Sequence, residues 1–198
     1  MPRIPRREII APHLLYHITV RGNNQQNIFL SNIDYDFLIG RLKFYHDKME
    51  FSLYAYVLMK NHFHLLIETG EKDSISQIMQ PLNTSYVVYF SKKYHRSGHI
   101  FQGRFYAKIV DKDNYLLEAV RYLHLNPVKI NLVKHPRNYR WSSYNEYIGK
   151  IQKNLITDCY KVLEIFGGDI IAQRSNFISF IQDGINHGTV SKDIFTLK

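Results

Sequence analysis

The stretch FSLYAYVLMKNHFHLLIET, residues 51–69, decides the fold. It contains two segments, 51–59 and 62–69, that are rich in aromatic and β-branched or other apolar residues, a composition typical of β-strands. Only Lys60 and Asn61 separate them. A connection this short predicts that the two strands pair as an antiparallel hairpin.

Segments on both sides of the hairpin extend it into a larger pattern. A strand (14–24) and a helix (32–49) are predicted before it, and a helix (73–94) and a loop running into a strand (99–111) after it. This β-α-β-β-α-β succession is the ferredoxin-like motif. We therefore predict an α+β protein: a ferredoxin-like antiparallel sheet with helices packed on one face.

A further helix is predicted over residues 113–125, where Asn126-Pro127 should end it because a residue before proline resists the α conformation. Residues 155–187 carry two predicted short helices separated by FGGD. The chain is thus divided into a main domain (1–150) and a small C-terminal helical extension (151–198).

Two details of the earlier helices can also be predicted. Asn32 or Asp34 is a candidate cap for the first helix, since short polar side chains satisfy the free N–H groups there. Pro81 lies inside the second helix and should kink it or mark a fresh start.

The charge balance indicates the class of partner. The 198 residues include 26 Lys and Arg against 17 Asp and Glu, a net charge of +9, together with 15 tyrosines and 12 phenylalanines. Basic residues interleaved with aromatic residues suit nucleic acid, because cations meet phosphates and flat rings stack on unpaired bases. The alternative is a basic enzyme whose aromatic residues form its core.

Other bulk features exclude several classes of protein. No apolar run approaches the ~20 residues that span a bilayer, and the basic N-terminus lacks the apolar stretch of a signal peptide. We therefore expect a cytoplasmic protein without a membrane partner. Cys159 is the only cysteine, which excludes an internal disulfide and a cysteine-based zinc site.

The second strand of the hairpin contains a candidate metal site. Side chains alternate along a strand, so His62 and His64 project to the same side and can share one divalent ion. They can equally be ordinary histidines of a half-buried strand. A catalytic metal normally has three protein ligands, and an oxygen donor as the third would favour Mg²⁺ or Mn²⁺.

The best third ligand lies on the predicted final helix. Tyr122 and Asn126 are four residues apart and share a helical face. A metal held by the two histidines and Asn126 would place the Tyr122 phenol beside a polarised phosphodiester as a nucleophile. The alternative makes Tyr122 a packing residue and Asn126 a helix cap. Tyr115, two turns earlier on nearly the same face, is the competing nucleophile.

Several segments resemble one family of DNA enzymes. HFHLLIET (62–69) resembles the histidine–hydrophobe–histidine (HUH) motif of single-tyrosine, single-stranded-DNA transposases. RYLHLNPVK (121–129) resembles the Tyr-x-x-x-Asn-Pro-Val segment of their REP-associated branch. Segments 20–29, 79–105 and 140–149 are also similar to that branch. The resemblance covers most of residues 12–150, although Lys60 stands where the family commonly has proline.

The resemblance implies a function. Residues 1–150 would form an HUH-type catalytic domain in which His62, His64 and Asn126 ligate Mg²⁺ or Mn²⁺ and Tyr122 is the nucleophile. The implied reaction is transesterification of single-stranded or hairpin-bearing DNA, in which a 5′-phosphotyrosine forms and a 3′-hydroxyl leaves. A later attack by a 3′-hydroxyl rejoins strands. The family includes monomers and homodimers, so the resemblance leaves the oligomeric state open.

The remaining predictions concern DNA contacts and the alternative functions. The candidate contacts are basic or amide side chains near the motifs: Arg21, Gln102, Arg104, Lys108 and Arg121. A solvated surface accounts for them equally well. The main functional alternative is a domesticated, non-catalytic DNA-binding protein on the same fold. An RNA-recognition module is disfavoured because GRFYAKIV lacks the stacking strand of that class.

Overall fold

The computed structural model describes residues 11–151 and 155–187. Its centre is an antiparallel sheet of four strands in the order β2-β3-β1-β4. The strands are β1 (Leu15–Arg21), β2 (Phe51–Met59), β3 (His62–Thr69) and β4 (Tyr106–Val110). Helix α1 (Asn32–His46) connects β1 to β2, and α2 (Ile75–Tyr94) connects β3 to β4. This is the ferredoxin-like arrangement, so the predicted α+β fold class is confirmed.

The chain after β4 is helical. The elements are α3 (Lys112–Lys129), α4 (Tyr144–Tyr147), α5 (Cys159–Leu163) and α6 (Ile170–His187), with short 3₁₀ turns at Asn23–Gln25, Pro136–Asn138 and Glu164–Phe166. The helices α5 and α6 lie on either side of the FGGD segment, as predicted. Within the described residues, none of the helices is both long enough and apolar enough to cross a membrane.

Both faces of the sheet are covered. Helices α1 and α2 pack on one face around side chains such as Ile18 and Leu65, which form the first core. Helices α3 to α6 pack on the other face around Val57 and Leu66, which form the second core. The two helices within the motif therefore share one face as predicted, while the later helices cover the opposite face. The near-continuous apolar run of β2 requires this, since both of its faces must be buried.

A β-bulge in β2 changes which of the two cores its successive side chains face. The register with β3 shifts between Leu53 and Ala55, so the side-chain alternation changes phase there. Leu53 and Tyr56 contribute to the first core, whereas Ala55 and Val57 contribute to the second. The two consecutive residues at the shift, Tyr54 and Ala55, therefore both contribute to the second core.

The C-terminal helices share the second core with α3. Cys159, Phe177 and Ile181 are fully buried there. The domain boundary at residue 150 stays a prediction, but the apolar contacts of this core extend across it.

Neither proline ends its helix. Helix α3 continues through Pro127 to Lys129, so the prediction that it ends at Asn126-Pro127 is wrong. Pro127 is itself buried, and the packing of its ring outweighs the local preference of the residue before proline. Helix α2 also runs through Pro81 as one element, so no second helix begins there.

The N-cap of α1 is neither of the two predicted candidates, Asn32 and Asp34, but the residue before them. Ser31 is the N-cap and Asp34 is the third helical residue of a capping box. The Asp34 carboxylate accepts hydrogen bonds from the backbone N–H groups of Leu30 at 2.7 Å and Ser31 at 2.8 Å. Asn32 begins the helix and does not cap it.

Asp34 also joins α1 to α2. Its side chain is fully buried, and it accepts hydrogen bonds from Lys93, Tyr89 and Tyr94 of α2. Burial alone would raise the pKa of Asp34, but these donors outweigh it and hold that pKa below its ordinary value. The carboxylate is therefore ionised and stabilises the helix pair.

We expect Asp34→Asn to lower the free energy of unfolding by about 3 kcal/mol at pH 7, since one partner of a buried ion pair is lost. Because the native pKa is depressed, this contribution is present above pH ~4 and is lost as the pH falls further. Urea unfolding of the wild type and of Asp34→Asn from pH 7 to pH 3 measures how the difference between their free energies of unfolding decreases.

The control is Asp36→Asn. Asp36 pairs with Arg140 at 3.3 Å, and both side chains are more than half exposed. Loss of such a pair leaves stability almost unchanged. Equal effects of the two substitutions would contradict the role given to Asp34.

Candidate active site

The pairing of β1 with β3 assembles one polar patch on the second face of the sheet. Thr19 lies directly opposite His64, and Arg21 opposite His62. His17 is two residues before Thr19 and therefore shares its face. The two histidines of the motif are thus on one side of the sheet, as predicted, and β1 supplies three further polar side chains beside them.

Hydrogen bonds orient both imidazoles of the motif. The Nδ1 atom of His64 lies 3.0 Å from His17 Nε2 and 3.0 Å from Thr19 Oγ1. The Nδ1–H group of His62 donates to the side-chain oxygen of Asn61 at 2.6 Å. Within the described residues no hydrogen bond reaches Nε2 of either motif histidine. Such outer partners fix the ring orientation of metal-binding histidines.

Helix α3 brings Tyr122 against this patch. Its ring centroid lies 6.2 Å from that of His64 and 5.8 Å from that of His17, both in edge-on geometry. The Lys129 ammonium lies 4.3 Å from the centre of the Tyr122 ring, a cation–π distance. The rings of His62 and His64 are themselves 4.9 Å apart.

Asn126 lies one turn after Tyr122 on α3. Its side-chain Nδ2 donates to the Tyr122 carbonyl at 2.8 Å. This bond holds the amide along the helix and ties it to the turn that carries the phenol. It uses the nitrogen of the amide, and the oxygen is the atom that ligates hard cations.

Burial sets the protonation states of the site. It lowers the pKa of His62 to about 4, aided by the Arg21 charge, and it lowers the pKa of His64 well below its ordinary value. Both imidazoles are therefore neutral at pH 7, the form that binds metals. Burial raises the pKa of Tyr122, partly offset by Arg21, so its phenol is protonated.

The donor set restricts the kind of ion that fits. In the part of the chain that the structure describes, no group of three or more His, Cys, Asp or Glu side chains is arranged to hold a metal. A cation held by His62 and His64 would need an oxygen donor of another type, and the Asn126 amide is the predicted one. Two imidazoles and an amide oxygen are compatible with Mn²⁺ and Mg²⁺.

Three of the candidate DNA contacts lie on or beside the patch, namely Arg21, Gln102 and Lys108. The Gln102 N–H donates to the Arg21 carbonyl at 2.9 Å, and both residues are exposed. Lys108 on β4 lies opposite His17. Arg104 is exposed in the loop before β4.

Arg121 is placed differently from the other candidates. Its side chain is only 11% exposed, pairs with Glu118 and lies over the Phe180 ring at 4.4 Å. It is covered by α6 and is therefore the candidate least able to reach DNA.

Two residues near the motif lie apart from the patch. His124 is fully buried in the second core, where its Nε2 lies 2.8 Å from Ser143 Oγ. Burial lowers the pKa of His124 to about 3, and its contacts are those of a core residue. The competing tyrosine, Tyr115, is 43% exposed.

Sequence reasoning missed His17, Thr19, Asn61 and Lys129 as members of the site. For the first two a signal existed: alternation in β1 places them on one face, and in the ferredoxin-like order β1 is the neighbour of β3. Their register with His64 could not be read from either strand alone. Asn61 and Lys129 contribute through side-chain conformations that spacing does not specify.

Fold and site together define a ferredoxin-like α+β protein in which a histidine pair faces a tyrosine on the following helix. Residues 11–126 match the family described as IS200-like transposases. The chain belongs to this family of transposases, proteins that act on DNA. No curated protein matches it.

A solved structure supports the fold. The chain is similar to a REP-associated tyrosine transposase whose structure was determined bound to a REP hairpin, with a TM-score of 0.61 and 19% sequence identity. The match covers 86% of this chain and 93% of the other. At this identity the similarity is one of fold.

The two classes of histidine should respond differently to substitution. We expect His124→Ala to lower the free energy of unfolding by about 3 kcal/mol, as for other large-to-small changes in a packed core, without weakening Mn²⁺ binding. His62→Ala should weaken Mn²⁺ binding and leave the free energy of unfolding nearly unchanged, because His62 is only half-buried. Chemical unfolding and Mn²⁺ titration by electron paramagnetic resonance measure the two effects. Loss of Mn²⁺ binding in folded His124→Ala would contradict this assignment.

Proposed function

We propose that the protein is a transposase that cleaves and rejoins single-stranded, hairpin-bearing DNA through a covalent bond to Tyr122. The observation that supports this best is the packing of the Tyr122 phenol beside His64, whose imidazole is neutral and has no hydrogen bond at Nε2 within the described residues. A tyrosine nucleophile beside two neutral imidazoles that can ligate a metal ion suits transfer of a DNA phosphate.

The covalent step needs no reactant besides the DNA and the tyrosine. The Tyr122 Oη attacks a backbone phosphorus, the bond from that phosphorus to the 3′-oxygen breaks, and a 5′-phosphotyrosine forms. The proton lost by the phenol is matched by the proton that the leaving 3′-oxygen gains. Because burial keeps Tyr122 protonated, deprotonation has to accompany the attack. Attack by a 3′-hydroxyl reverses the step and rejoins strands.

His62, His64 and Asn126 would hold a divalent cation, Mg²⁺ or Mn²⁺. When bound, such an ion supplies Lewis-acid polarisation of a phosphate oxygen. Asn61, His17 and Thr19 orient the two imidazoles through their Nδ1 atoms. Lys129 lies over the Tyr122 ring at a cation–π distance, and the charge of Arg21 partly offsets the rise that burial causes in the pKa of Tyr122.

The DNA would lie across polar residues of β1, β4 and the loop before β4. These are the exposed Arg21, Gln102 and Arg104 and the half-buried Lys108, which supply cations and a hydrogen-bonding amide, and the chain carries a net charge of +9. The hairpin bound to the transposase of similar fold supports the choice of a hairpin substrate. We assign catalysis to residues 1–150 and treat 151–198 as an extension, of which the described helices α5 and α6 pack in the same core as α3.

Tyr122→Phe should abolish a covalent adduct with labelled hairpin-bearing DNA in the presence of Mn²⁺, because the attacking oxygen is absent. Tyr115→Phe is the matched control and should form the adduct as the wild type does. A denaturing gel separates adduct from free DNA. An adduct that persists in Tyr122→Phe would refute the nucleophile assignment. A wild type that binds hairpin DNA without forming any adduct would favour the non-catalytic alternative.

Asn126→Ala should weaken Mn²⁺ binding by at least about 10-fold, since an oxygen donor is lost. Asn114→Ala is the control, because Asn114 on the same helix bonds to Asp111 at the helix start. Calorimetric titration of both variants provides the comparison. Equal affinities would exclude Asn126 as a ligand.

A further inference from the structure

His17 is the side chain that contacts both halves of the proposed site. It lies on β1 and is 6% exposed. Its ring stacks on that of His64 with centroids 5.0 Å apart and planes 22° apart. A second ring in contact with it is that of Tyr122, which lies edge-on with the two centroids 5.8 Å apart. A residue in this position can govern the histidine and the tyrosine together.

The hydrogen bonding of His64 points to one tautomer. Its Nδ1 atom has two neighbours at 3.0 Å, His17 Nε2 and Thr19 Oγ1. An imidazole nitrogen without a proton has one lone pair, whereas an N–H group can be shared between two acceptors. Two neighbours at equal distance are therefore best satisfied when Nδ1 of His64 carries the proton.

That tautomer has a direct consequence for Nε2. In a neutral imidazole with Nδ1 protonated, the only lone pair is on Nε2. His64 Nε2 is the atom left without a hydrogen bond in the described residues. For His17 to accept the proton, its own Nε2 must be unprotonated, which leaves its proton on Nδ1.

We propose that His17 is a positioning residue that accepts the Nδ1 proton of His64 and so keeps the Nε2 lone pair of His64 available to a divalent cation. This proposal rests on the proposed function for its consequence, but the tautomer itself is a property of the metal-free protein. Thr19 is the auxiliary acceptor of the same proton. By its edge-on contact, His17 also sets the spacing between Tyr122 and His64.

The tautomer can be read directly by NMR. Two-bond ¹⁵N–¹H spectra of the metal-free protein distinguish Nδ1–H from Nε2–H imidazoles. We expect His64 to be Nδ1–H in the wild type, largely Nε2–H or mixed in His17→Phe/Thr19→Val, and Nδ1–H again in His17→Gln. The phenylalanine keeps a flat ring but has no acceptor, whereas the glutamine oxygen can replace Nε2. A wild-type His64 in the Nε2–H form would overturn the proposal.

The second measurement is Mn²⁺ affinity with the same variants. His17→Phe should weaken binding about 10-fold, the lower range for loss of an outer partner, and His17→Gln should restore most of it. Binding of an unlabelled DNA hairpin without metal should stay unchanged in both. If His17→Gln binds Mn²⁺ as weakly as His17→Phe, His17 acts only by packing and the proposal fails.

The two proposals fail in different ways. If the wild type binds no Mn²⁺ and forms no adduct, the proposed function is wrong, and the NMR tautomer alone then decides the role of His17. If the wild type binds Mn²⁺ through His62 and His17→Phe binds it equally well, the inference about His17 is wrong and the proposed function stands. Circular dichroism and urea unfolding of each variant show whether any loss of Mn²⁺ binding arises from misfolding of β1.

Discussion

The antiparallel pairing of Thr19 with His64 is the constraint on which the site depends. Because side chains alternate along a strand, a slip of one residue between β1 and β3 would turn one set of polar side chains into the opposite core. The register is held by the apolar residues between them, since Ile18 and Val20 must enter the first core. The packing of one face thus fixes the chemistry of the other.

The second constraint is the cover that α3 places on that other face. A four-stranded sheet with helices on one side only would leave the two imidazoles exposed to water. The packing of α3 buries His64 and positions Tyr122 against it. The same burial keeps the histidines neutral and the phenol protonated. Architecture and protonation state therefore have one physical cause, removal of these groups from solvent.

The sequence was most informative where local patterns act alone. The bounds of the hairpin strands follow from its apolar segments, and Tyr122 could be placed near the histidines from spacing and resemblance. Local rules failed where tertiary packing opposes them: Pro127 stays within α3, where its side chain is buried. The covering of both sheet faces was implicit in the apolar run of β2. The roles of His17 and Thr19 require a register between strands, which neither strand contains by itself.

The position of Tyr122 has a consequence for the evolution of such proteins. Its side chain is only partly buried at the margin of the second core, and the large side chains that hold α3 in place are others, such as Leu123 and Leu125. Under the proposed function, a single substitution at Tyr122 would remove the chemistry while the scaffold and its basic surface survive. An active enzyme and a non-catalytic DNA-binding protein on this fold would then be one mutation apart, and selection could separate them without rebuilding the core.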